Sequence, residues 1–301
     1  PKVIEPVEPS KPKKVPLLWS ATDPPSAPSS EDTSILIGTD EVFGGSVHWD
    51  YHPSTGNANP HVMIVGETGF GKTYATQCII AELKKKNIAT IVFDYGQGFG
   101  VEEASSEFLK IAQPTEISAS TNGISINPLQ IFPDDVMGPI NVAQRVADTF
   151  CRIYPRMGIQ QKEAIIEAIE NAFRLVGVSA GVKDSWELPL PDINEVQRIL
   201  REISESKGNP LRRPAGTAYS HTRSFFRFNV LRDEGEKLTW DQMAASKGAW
   251  IIQMKGLEHF VSMIITEMLL WNLISFLQSE GPKDIRMMVV LDEAHKLSFD
   301  R

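Results

Sequence analysis

The apolar positions of this chain follow one pattern in its first part and another in its middle. Between residues 34 and 96, short apolar runs alternate with one helical segment. The runs 61–66 and 88–96 predict buried strands, and the segment 72–86 between them repeats its apolar residues at helical spacing. Strand, helix and strand in this order predict a right-handed crossover and a parallel sheet. Two apolar patches around residues 43–46 predict a β-hairpin before this unit.

The middle of the chain is predicted to be mostly helical. Its apolar residues recur at helical intervals, and one helix begins with the capping pattern Asp192–Glu195. Strand character returns in the runs 249–254 and 286–291. The predicted helices cover residues 140–154, 159–176, 193–206, 216–231 and 258–279. We therefore expect an α/β protein with a mainly parallel sheet, an N-terminal β-hairpin and a helical insertion at about 135–240.

Proline is distributed very unevenly along the chain. Eight of the 20 prolines lie within the first 30 residues, in a stretch without glycine. This composition favours extended chain and cannot build a core, so residues 1–33 are interpreted as a linker and residues 34–301 as a single core. The sequence starts at Pro1 and stops nine residues after Asp292. We expect a piece of a longer polypeptide from which the last strands are missing.

Composition narrows the class of protein further. The formal net charge of −8 argues against a protein coated with nucleic acid, although it leaves room for a local basic site. Two cysteines exclude a disulfide framework and fit a reducing cytoplasm, which is the expected location. No uninterrupted run of 18 apolar residues occurs, so neither a membrane span nor a membrane partner is expected.

The strongest chemical signal is the octapeptide 66–73, which reads GETGFGKT and matches G-x-x-x-x-G-K-[ST]. Glycines let the backbone wrap around phosphates, and the helix that starts at Lys72 adds its partial positive charge. Lys72 is expected to reach the β- and γ-phosphates of ATP, and the hydroxyl of Thr73 to hold Mg²⁺. An ordinary glycine turn is the alternative. The predicted nucleotide contacts are Gly66, Glu67, Thr68, Gly69, Phe70, Gly71, Lys72, Thr73 and Tyr74.

An acidic pair ends the last predicted strand. Asp292 directly follows the apolar run and could hold Mg²⁺ directly or through water. Glu293 comes one residue later, where a carboxylate can orient and polarise the attacking water. With Lys72, these two residues form the predicted catalytic set, and the two motifs together predict ATP hydrolysis and not binding alone. The alternative is that the acidic pair only begins a surface turn.

Three further features give weaker signals. Asp94 ends the second predicted strand, and a place beside phosphate and a simple strand-end acid both stay open. Gly96, Gly98 and Gly100 form G-x-G-x-G, which differs from a dinucleotide fingerprint and is interpreted as a flexible loop. His295 follows the acidic pair and is a candidate sensor of the γ-phosphate.

Residues 211–232 form a basic island in an acidic chain. The segment contains five arginines, no lysine and no acid, and aromatic residues lie between them. Such a cluster could contact DNA phosphates or present an arginine to the ATP of a neighbouring subunit. The alternative is an amphipathic helix with a phenylalanine core face and a solvated arginine face. The candidates for the DNA or subunit interface are Arg212, Arg213, Arg223 and Arg227.

Several landmarks occur in a fixed order along residues 35–300. They are the hairpin with Gly44–Gly45 and Trp49, His61, Phe93–Asp94, the NPL segment 126–129, Gln160–Gln161, the segment 254–257 and the acidic segment 292–296. In this order they resemble the HerA/FtsK superfamily of ring-forming, DNA-translocating ATPases. The resemblance implies a RecA-like P-loop NTPase fold, ATP and Mg²⁺ as cofactors, double-stranded DNA as partner, and a homo-oligomer, a hexameric ring.

Within that superfamily, the chain is most similar to the HerA-type ATPase subunit of DNA phosphorothioation-dependent restriction systems. This similarity implies a motor within a bacterial defence complex, with other restriction-complex subunits as partners. A nucleotide-gated assembly switch and a conjugation-type transfer ATPase are the alternatives. Residues 292–295 also spell the DEAH box of a helicase group, but those helicases place the box much closer to the phosphate loop.

Overall fold

The computed structural model describes residues 34–51, 60–132, 135–235, 237, 239–279, 285 and 287–294. The predicted linker 1–33 and His295 lie outside these residues. The architecture is α/β, as predicted, with a four-stranded parallel sheet and a separate antiparallel hairpin.

The predicted hairpin and parallel sheet are both confirmed. The hairpin pairs β1 (Ser34–Thr39) with β2 (Ser46–Asp50). The parallel sheet has the order β4-β5-β3-β6. Its strands are β3 (Ala89–Asp94), β4 (Thr115–Ser118), β5 (Ala249–Gln253) and β6 (Met287–Leu291). Strand β3 is fully buried and pairs with β5 on one side and β6 on the other. In this register, Asp94 lies beside Gln253 of β5, and Phe93 lies beside Leu291 of β6.

Every predicted helix is present with ends within four residues of the expected ones. The helices are α1 (Lys72–Lys85), α2 (Ser106–Ala112), α3 (Pro139–Ile153), α4 (Ile159–Leu175), α5 (Ile193–Glu205), α6 (Arg212–Phe228), α7 (Trp240–Ser246) and α8 (His259–Ser279). The sequence did not predict α2, β4 or α7, which are short and lack the continuous apolar run that marks β3, β5 and β6.

The helices between β4 and β5 share one hydrophobic core with the sheet. Phe150 of α3 is fully buried, and its ring packs edge-on against Phe225 of α6 with centroids 5.1 Å apart. The same cluster reaches Phe93 and Ile252 of the sheet and much of α8. The helical block is therefore packed onto the sheet and is not a separate globule.

The NPL segment joins this block to the sheet. The Asn127 side chain donates to the Pro191 carbonyl at 2.9 Å and accepts from the Leu129 amide at 2.9 Å. Leu129 is fully buried. Asn127 thus fixes the chain between β4 and α3 to the loop that precedes α5.

The apolar segment 61–66 is not the buried strand that its sequence predicted. It pairs with no strand among the described residues, and Met63 and Val65 are 85% and 78% exposed. An apolar run is buried in a sheet only where a neighbouring strand pairs with it, which is a non-local condition. The last strand is confirmed as β6, but it forms one edge of the described sheet and is only half-buried.

By length and composition, α8 could cross a membrane, and 56% of its most apolar stretch of 18 residues is buried inside the protein. Counting uninterrupted apolar residues did not single it out, because polar residues such as Ser262 and Thr266 interrupt the run. Val261, Ile264 and Ile265 are fully buried in the core shared with the helical block. In this fold, α8 is therefore a core helix.

Phe150 provides a test of the shared core. We expect Phe150→Ala to lower the free energy of unfolding by about 3–5 kcal/mol, because it leaves a cavity between α3 and α6. Phe228→Ala is the matched control: its ring is 38% exposed, and we expect a loss below about 1 kcal/mol. Urea unfolding measures both. Equal losses would contradict the assignment of Phe150 to the centre of the core.

Candidate active site

The predicted phosphate loop is an exposed turn that leads directly into α1. Gly69 and Gly71 have φ angles of 88° and 84°, in the left-handed region that favours glycine. The Ala75 amide donates to the Gly71 carbonyl at 2.9 Å, which begins the helix. The first turn of α1 contains no acid, so the partial positive charge of its N-terminus is not neutralised there. This geometry suits an anion such as a phosphate.

Lys72 folds back over the loop that precedes it. Its ammonium donates to the carbonyls of Gly66 at 2.8 Å and Glu67 at 3.0 Å. Hydrogen bonds between charged partners are stronger than those to neutral carbonyls, so a bound phosphate would compete for this ammonium. The contact of Lys72 with the phosphates of ATP stays a prediction.

The turn after β3, residues 95–100, lies against both predicted metal-holding residues; we call it the glycine turn. A Cβ on Gly98 would stand 2.6 Å from Cγ2 of Thr73, and a Cβ on Gly96 would stand 3.0 Å from Oδ2 of Asp292. The structure therefore brings Thr73 and Asp292 to the same turn. They are 219 residues apart in the sequence (292 − 73).

Asp94 holds the glycine turn. Its buried carboxylate accepts from the amides of Gly96, Gln97 and Phe99 at 2.9, 2.7 and 3.1 Å, and from the Gln253 side chain at 3.0 Å. The interpretation of this segment as a flexible loop is therefore wrong. Its glycines Gly96 and Gly98 allow Asp292 and Thr73 to approach the backbone closely. Asp94 is the acid that holds the shape of the turn.

Asp292 has the chemistry of a magnesium ligand. Burial, with the nearby carboxylates of Asp94 and Glu293, raises its pKa to about 6. A cation beside these oxygens would relieve the repulsion that raises this pKa. Carboxylate and hydroxyl oxygens are hard donors that suit Mg²⁺, so Asp292 and Thr73 fit the ion. The described residues contain no group of three or more His, Cys, Asp or Glu placed to hold a metal, so further donors would come from ATP and water.

Glu293 is exposed at the turn after β6. Its φ angle is 52°, which is uncommon for any residue other than glycine and costs on the order of 1 kcal/mol. Residues held in such conformations cluster at functional sites. The backbone of Asp292 is fixed nearby, since its amide donates to the Phe93 carbonyl at 3.1 Å.

The other predicted nucleotide contacts lie on the loop and the first turn of α1. Phe70 is 66% exposed at the tip of the loop. Tyr74 lies beside Cys78 one helical turn later, and burial and this neighbour raise the pKa of Tyr74. The phenol of Tyr74 is thus directed along the side of α1.

The four arginines of the basic island lie on α6, which packs against α4, α5 and α8. All four are exposed, whereas Phe225 and Phe226 are buried. The amphipathic-helix interpretation is therefore confirmed for the packing of α6. Arg212 donates to the Ser204 carbonyl at 3.2 Å. The guanidinium groups of the other three show no hydrogen bond or ion pair to any residue that the structure describes.

Two polar residues of the site were not predicted. Gln77 is buried on the inner face of α1 and donates to the Gly98 carbonyl at 2.7 Å. Gln253 ends the apolar run of β5 and contacts Asp94. A polar side chain within an apolar face is the signal that could have found both.

The geometry defines a class of protein: a phosphate loop beside a parallel sheet, with acids at the carboxyl ends of its strands. A family model described as "Helicase HerA, central domain" matches residues 57–273, more than two thirds of the chain. The chain therefore belongs to the HerA central-domain family of P-loop ATPases.

The fold is similar to that of VirB4 of Thermoanaerobacter pseudethanolicus. The TM-score is 0.66 at 18% sequence identity, over 89% of this chain and 69% of that one. At this identity, the similarity concerns the fold alone. Among curated proteins, no sequence relative matches the chain.

Lys72→Ala tests the phosphate loop. We expect ATP binding to be abolished, because the variant removes the one ammonium that the loop holds over its own carbonyls. A fluorescent ATP analogue in an equilibrium titration measures the affinity. Lys84→Ala, near the other end of α1, is the matched control and should bind normally. Unchanged affinity in Lys72→Ala would overturn the assignment.

Proposed function

We propose that this chain is an ATP-hydrolysing motor that acts on double-stranded DNA. The observation that carries the ATP site is the approach of Thr73 and Asp292 to the same glycine turn, beside the loop that holds Lys72. Family membership supports the ATPase part of the proposal.

Each residue of the site has a separate task in hydrolysis. Lys72 and the amides of the loop would bind the phosphates, and Thr73 and Asp292 would hold Mg²⁺. The ion supplies positive charge that offsets the charge developing on the phosphate oxygens. Glu293 would accept a hydrogen bond from the attacking water and orient it toward the γ-phosphate.

The DNA part of the proposal rests on a contrast between two neighbouring helices. On α5, Arg198 pairs with Glu195 and Glu202, and Arg201 pairs with Glu205. On α6, Arg223 and Arg227 are exposed without such partners among the described residues. Their spacing of four residues puts both on one face of the helix. An unneutralised basic face is what phosphate contact requires.

The assembly in which the motor works is the finer part of the proposal. The resemblance of the chain's sequence to HerA-type restriction ATPases supports a hexameric ring within a DNA phosphorothioation-dependent restriction complex. A conjugation-type ATPase that transfers DNA or protein is the second candidate, favoured by the fold shared with VirB4.

Glu293→Gln separates a motor from a nucleotide-gated assembly switch. We expect this variant to bind ATP normally and to hydrolyse it at least about 100-fold more slowly, because the general base is lost. A motor would then also lose ATP-driven displacement of a third strand from duplex DNA. If restriction in vivo survives in Glu293→Gln but fails in Lys72→Ala, the motor is wrong and the switch is the correct description.

Replacing Arg223 and Arg227 with alanine tests the DNA contact. We expect weaker binding of duplex DNA and a slope of log affinity against log salt that is shallower by about 2, one for each phosphate contact. Fluorescence anisotropy at several salt concentrations measures both quantities. Replacing Arg198 and Arg201 removes the same charge from paired arginines and should leave the slope unchanged. Equal effects of the two double variants would contradict a specific contact.

A further inference from the structure

We infer that the glycine turn is a positioning device that sets the two magnesium-holding residues relative to each other, with Gln77 and the Asp94–Gln253 pair as its anchors. The inference rests on the proposed ATP site, and it assigns a task to residues outside both sequence motifs. The anchors do not touch the nucleotide in this assignment; they act through Thr73 and Asp292.

The first anchor comes from the sheet. Asp94 and Gln253 are neighbours across β3 and β5, and both are buried. The carboxylate of Asp94 accepts three amides of the turn and the Gln253 side chain. Gln253 in turn accepts from the Lys255 amide at 3.3 Å. The base of the turn is thus fixed to two adjacent strands.

The second anchor comes from the helix that follows the phosphate loop. Gln77 donates to the Gly98 carbonyl at 2.7 Å, and its oxygen accepts from the hydroxyl of Ser105 at 2.8 Å. Since Gln77 lies one turn after Thr73 on α1, the helix that presents Thr73 also grips the turn that Thr73 touches. A shift of the turn would therefore change the contacts of both Gln77 and Thr73.

These anchors control the direction of the Thr73 hydroxyl. Threonine has a branched Cβ, so the position of its methyl fixes the position of its hydroxyl. The methyl lies against Gly98, where an added Cβ would stand only 2.6 Å away. On the same turn, Gly96 leaves room for the Asp292 carboxylate at 3.0 Å. One rigid turn therefore orients both oxygen donors.

Gly98→Ala tests this positioning. The added methyl would collide with Cγ2 of Thr73, so the threonine must rotate and turn its hydroxyl away. We expect the affinity for ATP in EDTA to stay at the wild-type value and the apparent affinity for Mg²⁺ with ATP bound to fall about 10- to 100-fold. Titration of a fluorescent ATP analogue with and without Mg²⁺, and paramagnetic resonance of bound Mn²⁺, give readouts that do not depend on turnover.

Two further variants make the test specific. Thr73→Ser in the Gly98→Ala background removes the colliding methyl but keeps the hydroxyl, and it should restore the metal affinity to that of Thr73→Ser alone. Gly181→Ala is the control for a glycine substitution away from the site, because nothing lies within 4 Å of an added Cβ there, and it should leave the metal affinity unchanged. Gln77→Leu should weaken Mg²⁺ binding without rescue by Thr73→Ser, since it loosens the turn and creates no collision.

Wild-type metal affinity in Gly98→Ala, or a loss that Thr73→Ser does not rescue in a protein that unfolds at the wild-type temperature, would overturn the inference. Failure of the ATP site itself gives a different result. In that case Lys72→Ala would bind ATP normally, whatever the behaviour of the glycine turn.

Discussion

The structure of the site depends on one buried carboxylate. Asp94 lies at the end of the central strand with no exposed surface, where an unpaired charge would be very costly. Three backbone amides and one side-chain amide satisfy it. A buried acceptor that loses its donors costs about 1–3 kcal/mol, or more when it is charged, so the turn has little freedom to move away from Asp94. The phosphate loop and the acidic pair are both placed relative to this turn.

The same turn is joined to the helical block by a series of contacts. Tyr95 begins the turn, and its hydroxyl is 2.5 Å from that of Thr266 on α8. The next residue of α8, Glu267, accepts from Thr149 and pairs with Arg152 on α3. Because α3 and α6 meet at Phe150 and Phe225, the basic face and the site belong to one packed body.

The sequence alone predicted those features that depend on residues close together in the chain. The motif that ends in Lys72 and Thr73, the acidic pair and the helices all follow from residues close together in the chain. The segment 61–66 failed because its burial depends on a neighbouring strand. Gln77 and Gln253 were missed because their partners, Gly98 and Asp94, lie 21 and 159 residues away. Such pairs become visible only once the sheet order places the strand ends side by side.

The pairing of charges distinguishes the arginines of α6 from those of α5. On α5, Arg198 already pairs with Glu195 and Glu202, and Arg201 pairs with Glu205, so a phosphate would have to displace an existing ion pair. The segment of α6 has no acid at all, and its own phenylalanines bury the opposite face. Its arginines therefore keep their full charge toward solvent without weakening the core. The net charge of −8 conceals this difference between the two helices, because it sums the charges of the whole chain.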